Sequence, residues 1–267
     1  MSTHEDERQQ AHDLGLDDDV LEIIKASISS PLSRLTLRSG AMEEEPDDPR
    51  FTGRVEPGEC EGEIALTLDV LSAVVPREDA FEIVASLQPQ LERRGCQALL
   101  AANIGFHDWS QIFEVDVLDA KKQYDEQSLV VFFRSEHPAS LFWVRQTNGV
   151  NFGVYTRDVL DRLDEWAERC SFAVLGAGWD WVELKFDTLP DDLEGFAEEV
   201  YEFCPDTIDQ AIVRVPPEHL AGKSAEELSE EELEEMVEFL EEALDEQDSS
   251  DLADFLAREK RLFLWWD

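Results

Sequence analysis

Apolar positions along this chain change period several times, and each change marks an expected element. VLEIIKASI (20–28) carries Val20, Ile23, Ile24 and Ile28 at helical spacing, behind Asp17, Asp18 and Asp19. Acids in a first turn suit the positive end of a helix dipole, so the spacing predicts a helix there. REDAFEIVASLQPQLERR (77–94) puts Phe81, Val84, Leu87 and Leu91 on one helical face. RDVLDRLDEWAER (157–169) does the same with Val159, Leu160, Leu163 and Trp166, with Thr156 as its expected N-cap. DDLEGFAEEVYEF (191–203) predicts a helix just after Pro190. Shorter runs rich in β-branched and aromatic residues predict strands at 63–68, 96–104, 128–134, 141–146, 172–178 and 181–186. FEVDVLD (113–119) alternates apolar and acidic residues without settling its state.

The two ends differ from this middle. Residues 1 to about 15 read as a disordered lead, and 38–62, rich in Glu, Asp, Pro and Gly, as a linker or long loop. Residues 1–60 are therefore expected to be an appendage on a main domain at 61–267. KSAEELSEEELEEMVEFLEEALDEQ (223–247) has a capping box at Ser224 and Glu227 and a narrow apolar stripe through Leu233, Met236, Val237, Leu240 and Leu244. It predicts an amphipathic acidic helix, followed by a shorter one at 251–259. RLFLWW (261–266) then reads as a strand, and a terminal strand resists fraying only when paired and covered. Strands and helices mix without strict β-α-β alternation. The expected class is α+β, with a largely antiparallel mixed sheet flanked by helices and the last strand inserted in the sheet.

Composition narrows the function classes. Asp and Glu number 63 against 22 Lys and Arg, a formal net charge of −41. Such a chain repels nucleic acid and anionic membrane surfaces, so neither is an expected partner. The hydrophobic fraction of 43% excludes global disorder despite the charge. Cys60, Cys96, Cys170 and Cys204 are widely spaced, which gives no support to a disulfide framework or a zinc site. MSTHEDERQQ lacks the apolar core of a signal peptide, and no apolar run reaches the ~20 residues that span a bilayer. A soluble cytoplasmic protein is expected.

Four segments carry a further signal: TNGVNFGVYT (147–156), GAGWDWVELKF (176–186), FAEEVYEFCPDTIDQ (196–210) and RLFLWWD (261–267). Together, in this order, they resemble the bacterial domain-of-unknown-function family 4253 over roughly residues 75–267. The resemblance implies a domain boundary and a shared site, but no activity. The chain departs from the family pattern after Gln210, where AIVRVPPEHL and the acidic helix look like an insertion at about 216–259.

These segments also hold the candidate chemistry. Pro205 restricts Cys204 to extended backbone, and Asp206, Asp209 and Gln210 crowd the next turn. They form either a polar ligand site or a capped helix start. Cys204 as a nucleophile needs a base, and His4, His12, His107, His137 and His219 show no recognisable pairing with it. A structural buried cysteine is the simpler reading. Asn148-Gly149 signals a turn, and Thr147, Asn148 and Asn151 offer hydroxyl and amide groups for a ligand or for the turn itself. Asp180, between Trp179 and Trp181, is either a desolvated carboxylate or a turn residue facing water. Asp180, Asp206, Asp209 and Asp267 form a weak candidate set for a divalent cation if they meet. No cofactor is implied. Phosphate-loop, dinucleotide, zincin, hydrolase and kinase signatures are missing, and the signals lean away from an enzyme.

The expectation that emerges is a soluble acidic interaction module, an accessory or immunity-type protein binding a basic protein partner. The alternative is a small-molecule or divalent-metal-binding domain, an uncharacterised enzyme included, built on TNGVN, WDW and CPDTIDQ. A third reading is nucleic-acid mimicry, in which carboxylates stand where phosphates would. Oligomeric state is not legible.

Overall fold

A computed structural model describes residues 3–42, 45–58, 60–104, 127–211, 229, 231–233, 235 and 249–266. In chain order the elements are α1 (Thr3–Asp13), α2 (Asp18–Ser27), β1 (Ser33–Arg38), β2 (Arg54–Pro57), β3 (Ile64–Pro76) and α3 (Arg77–Glu92). They continue with β4 (Cys96–Ile104), β5 (Gln127–Arg134), α4 (Ala139–Arg145), α5 (Thr156–Ala167), β6 (Ser171–Ala177) and β7 (Trp181–Thr188). The last are α6 (Leu193–Phe203), α7 (Asp206–Ala211), α8 (Ser249–Glu259) and β8 (Arg261–Trp265). The expected segment 113–119 and most of the acidic helix at 223–247 lie outside the described residues.

Among the described residues the strands form one eight-stranded sheet in the order β1-β3-β5-β4-β6-β7-β8, with β2 paired to the start of β3. Every pairing is antiparallel except β4 with β6. The α+β class with a largely antiparallel mixed sheet is what the sequence predicts. The parallel join is tight: at Gly176, opposite Leu100, an added Cβ would lie 2.6 Å from the Leu100 Cβ. Only glycine lets the two backbones approach this closely.

Side chains alternate across the sheet and feed two cores, because successive strand residues point to opposite faces. On β5, Leu129, Val131 and Phe133 join one core, while Val130 and Phe132 join the other. The first core holds Leu141 and Phe142 of α4, Trp166 of α5, Phe196 of α6 and Leu256 of α8. The second holds Val20 and Ile24 of α2, and Val84, Leu87 and Leu91 of α3. Helices therefore cover both faces, which explains why β5 reads as an apolar run rather than a strict alternation.

Three expectations are corrected. The described residues of the expected disordered lead, 3–15, are ordered: α1 spans Thr3–Asp13, and Ala11 is fully buried. The anchors of α1 are polar, since buried Glu7 accepts from the Leu32 N–H (3.0 Å) and from Lys25 Nζ (2.6 Å). Residues 141–146 are not a strand. They belong to α4, which is buried along its length and ends on Gln146 in the left-handed region (φ 53°). A helix buried all round need show no amphipathic period. Thr156 is not the N-cap of α5, because the cap is Tyr155, whose N–H donates to Asp158 Oδ2 at 2.8 Å.

The N-terminal residues expected as an appendage join the sheet through β1 and β2. Asp48 and Arg50, before β2, are fixed as well. Asp48, with no side-chain exposure, accepts two bonds from the Arg50 guanidinium and one from Trp143 Nε1 at 3.0 Å. Arg50 also pairs with Asp164 of α5. The C-terminal strand is paired as expected, but among the described residues it stands at the sheet's edge beside β7 rather than in its middle.

Candidate functional site

The last two described residues tie the four motif segments together. Trp266 is 3% exposed. Its N–H donates to the Asp180 carbonyl at 2.9 Å, and its Nε1 donates to the Phe203 carbonyl at 3.3 Å. Its ring meets Phe203 edge-on, with centroids 5.7 Å apart and planes at 87°. The other side of the indole lies against Gly149, where an added Cβ would fall 2.3 Å from Cδ1. Trp265 is half-buried; its carbonyl accepts from Cys204 Sγ at 2.9 Å, and its Nε1 donates to Asp180 Oδ2 at 3.2 Å. The 147–149 turn closes on the 178–180 turn through two further bonds. Thr147 Oγ1 donates to the Gly178 carbonyl at 2.6 Å, and the Asn148 N–H to the Trp179 carbonyl at 2.8 Å.

Of the candidate residues from the sequence, Thr147, Asn148, Asp180 and Cys204 meet at this junction, in bonds that hold its loops. Thr147 is fully buried and bonded to Gly178. Asn148 folds on its own turn, its Nδ2 donating to the Gln146 carbonyl and its Oδ1 accepting from the Val150 N–H. Asn151 is exposed in the 3₁₀ turn Val150–Phe152. Asp180 is half-buried beneath Trp265. Cys204 is fully buried, and burial pushes its thiol up to about 12, with the neighbouring Thr207 pulling the other way. A thiol held protonated in this way is a hydrogen-bond donor, not a nucleophile. Asp206 opens α7 and is half-buried. The side chains of Asp209 and Gln210, and Asp267, lie outside the described residues. Among the described residues no group of three or more His, Cys, Asp or Glu is placed to hold a metal ion.

Two polar pairings were not foreseen. Glu183, 3% exposed on β7, pairs with Arg261 of β8, and Arg261 lies 3.8 Å over the Phe81 ring. Burial raises the Glu183 carboxyl, while Arg261 opposes the shift. The second is the Asp48–Arg50–Asp164 chain, which the run DDPR disguises as linker. Sequence reasoning also missed the apolar surface around the junction. Val150, Phe152, Tyr155 and Trp179 are exposed by 53%, 43%, 61% and 55%. The signal was present, since NGVNFGVY puts large apolar residues into a turn where polar ones are usual.

A family model described as "Domain of unknown function (DUF4253)" matches residues 129–267. The chain belongs to this family. The match opens within β5 and takes in all four motif segments and the whole Trp265–Trp266 junction. It begins later than the residue near 75 expected from the motifs, so β1 to β4 and α1 to α3 stand before the matched region. No curated protein and no solved structure gives a significant match to the chain. Among the described residues no helix is long and apolar enough to cross a membrane.

Proposed function

We propose that this DUF4253 member is an acidic protein-interaction module, an accessory or immunity-type protein of the bacterial cytoplasm that binds a basic partner protein. One observation carries the reading. Thr147 and Cys204 bond to backbone carbonyls of neighbouring segments and Asn148 to its own turn, while the large apolar side chains beside them face solvent. That division of labour suits a rigid display surface. The net charge of −41 supplies the second half, because it accelerates encounters with cationic partners and the acceleration fades with salt.

The test is affinity capture from native extract at low and at high salt, with mass spectrometry of what is retained. A stoichiometric basic protein retained at low salt and released at high salt is the expected result. An empty column at both salts, with folded protein on the resin, overturns the reading.

A further inference from the structure

We propose that the loop at 149–155 and the turn at Trp179 together form the docking surface, and that its occupant is a lysine- or arginine-rich segment of the partner. The inference rests on the interaction-module reading and assigns it a place. Exposed apolar side chains scattered singly need no explanation, but four from two adjoining turns do. Val150, Phe152 and Tyr155 sit in one short loop. Trp179 joins them because its carbonyl accepts the Asn148 N–H and its neighbour Gly178 accepts Thr147 Oγ1.

The surface is pre-organised. Gly149 is clamped against the Trp266 indole, and the Gly149 and Val154 backbones bridge each other. Gly153, at φ 74°, turns the chain back between them. Little further ordering is required when a partner docks, which removes a main cost of association.

Charge selects the occupant. Within 147–156 and 176–181 the one acidic or basic side chain is Asp180. Arg157, the nearest cation in sequence, is turned away: it bonds to the Asp47 carbonyl and lies 5.8 Å from the Trp143 ring centroid. A second copy of the chain would bring another −41 against this face, which works against self-association. A cationic segment gains from the long-range field and from the aromatic faces, over which guanidinium and ammonium groups are attracted. The protein's own arginines already pack this way, Arg162 over Phe203 at 5.2 Å and Arg169 over Phe196 at 5.9 Å.

The experiment measures binding of a labelled hexa-arginine peptide to the full chain by fluorescence anisotropy, at low and at physiological salt. Trp179→Ala and Phe152→Ala each weaken binding about two- to fivefold, the worth of one exposed cation–π contact. Asp79→Asn, on α3 across the sheet, changes it less. Both ring positions are exposed, and unchanged melting temperatures confirm that the variants fold. Equal binding to wild type and to both ring variants overturns the docking surface and leaves the acidic-module reading standing. No hexa-arginine binding to wild type at low salt overturns both. A hexa-glutamine peptide that binds as tightly overturns the choice of a cationic occupant.

Discussion

Gly149→Ala is the sharpest perturbation of the junction, because two effects of opposite sign act on one methyl group. Gly149 has φ −123° and ψ 60°, so an L-residue is admitted at this φ. Through the unfolded chain alone, alanine would stabilise by about 0.4–1 kcal/mol. Against this, the new Cβ would lie 2.3 Å from Trp266 Cδ1, 2.5 Å from Cγ and 2.8 Å from Nε1. Ordinary contact is about 3.5 Å or more, so the buried indole must retreat by roughly 1 Å. Overpacking of this kind costs about 1–3 kcal/mol, and the bond from Nε1 to Phe203, worth about 1 kcal/mol, is strained with it. The clash wins, with a net loss of about 2 kcal/mol. For a chain of this size that lowers Tm by roughly 4–8 °C. The assay is urea unfolding followed by tryptophan fluorescence and circular dichroism, on wild type, Gly149→Ala, Trp266→Leu and the double variant. Trp266→Leu costs about 2–3 kcal/mol alone and clears the space, so adding Gly149→Ala should cost close to nothing further. If Gly149→Ala is neutral in wild type, or equally costly in both backgrounds, the indole is not what forbids a side chain at 149.

Further outcomes are expected elsewhere. Arg261→Ala strips the cation from Glu183 and costs about 3 kcal/mol at pH 7 in urea unfolding. Burial raises the Glu183 carboxyl, so the folded state holds its proton more tightly than the unfolded one. The penalty should therefore shrink as pH falls to its ordinary value near 4.5 and below, and an equal loss at pH 4 and 7 would refute the assignment. Asp48→Ala should cost about 3 kcal/mol, since it leaves Arg50 and Trp143 Nε1 without their shared carboxylate. Its acid has the reverse sign: Arg50 holds Asp48 well below the usual range, so the stability is present above about 3.8 and is lost as pH falls further. For the thiols, an aromatic disulfide reagent at pH 8 should titrate one group rapidly in the native protein, exposed Cys60, and all four in denaturant. Rapid native reaction at Cys204 would contradict its burial and raised pKa.

The sequence disclosed those elements whose residue pattern and packing agree. Strands expected at 96–104, 128–134 and 181–186 fall on β4, β5 and β7: β5 reads as an apolar run because it faces a helix layer on both sides, and β7 alternates Val182, Leu184 and Phe186 with Glu183 and Lys185. The helix expected at 157–169 is α5, because one face is buried and the other solvated. Disagreement came where the anchor was not an amphipathic face. Glu7 and Gln10 fix α1 through the backbone N–H groups of Leu32 and Arg34, which no hydropathy pattern records. In α4 the burial of Phe142, Trp143 and Val144 together erased the period. Helix at 139–145 then followed from tertiary packing rather than from residue preference. The parallel join of β4 to β6 was not legible either, since it pairs segments more than seventy residues apart.

The motif residues were legible as a set, but their meeting point was not, and the reason is chemical. Apart from Asp180 Oδ2 under Trp265 Nε1, the partners that join the segments are carbonyls: Gly178 for Thr147, Trp179 for Asn148, Phe203 and Asp180 for Trp266, and Trp265 for Cys204. A carbonyl has no residue identity, so spacing and composition cannot point to it. The same fact explains why Cys204 looks like chemistry and acts as structure. Among the described residues β8 is an edge strand, and an edge presents unpaired backbone groups that invite further strands. The Cys204 thiol occupies the Trp265 carbonyl at that edge, and α7 packs beside it. Serine at 204 supplies a shorter donor and alanine supplies none. Cys204→Ser should therefore retain more stability than Cys204→Ala, although alanine better matches the apolar surroundings. Urea unfolding separates the two variants. A more stable alanine variant would mean that burial of the sulfur, not its bond to the edge, is what this position contributes.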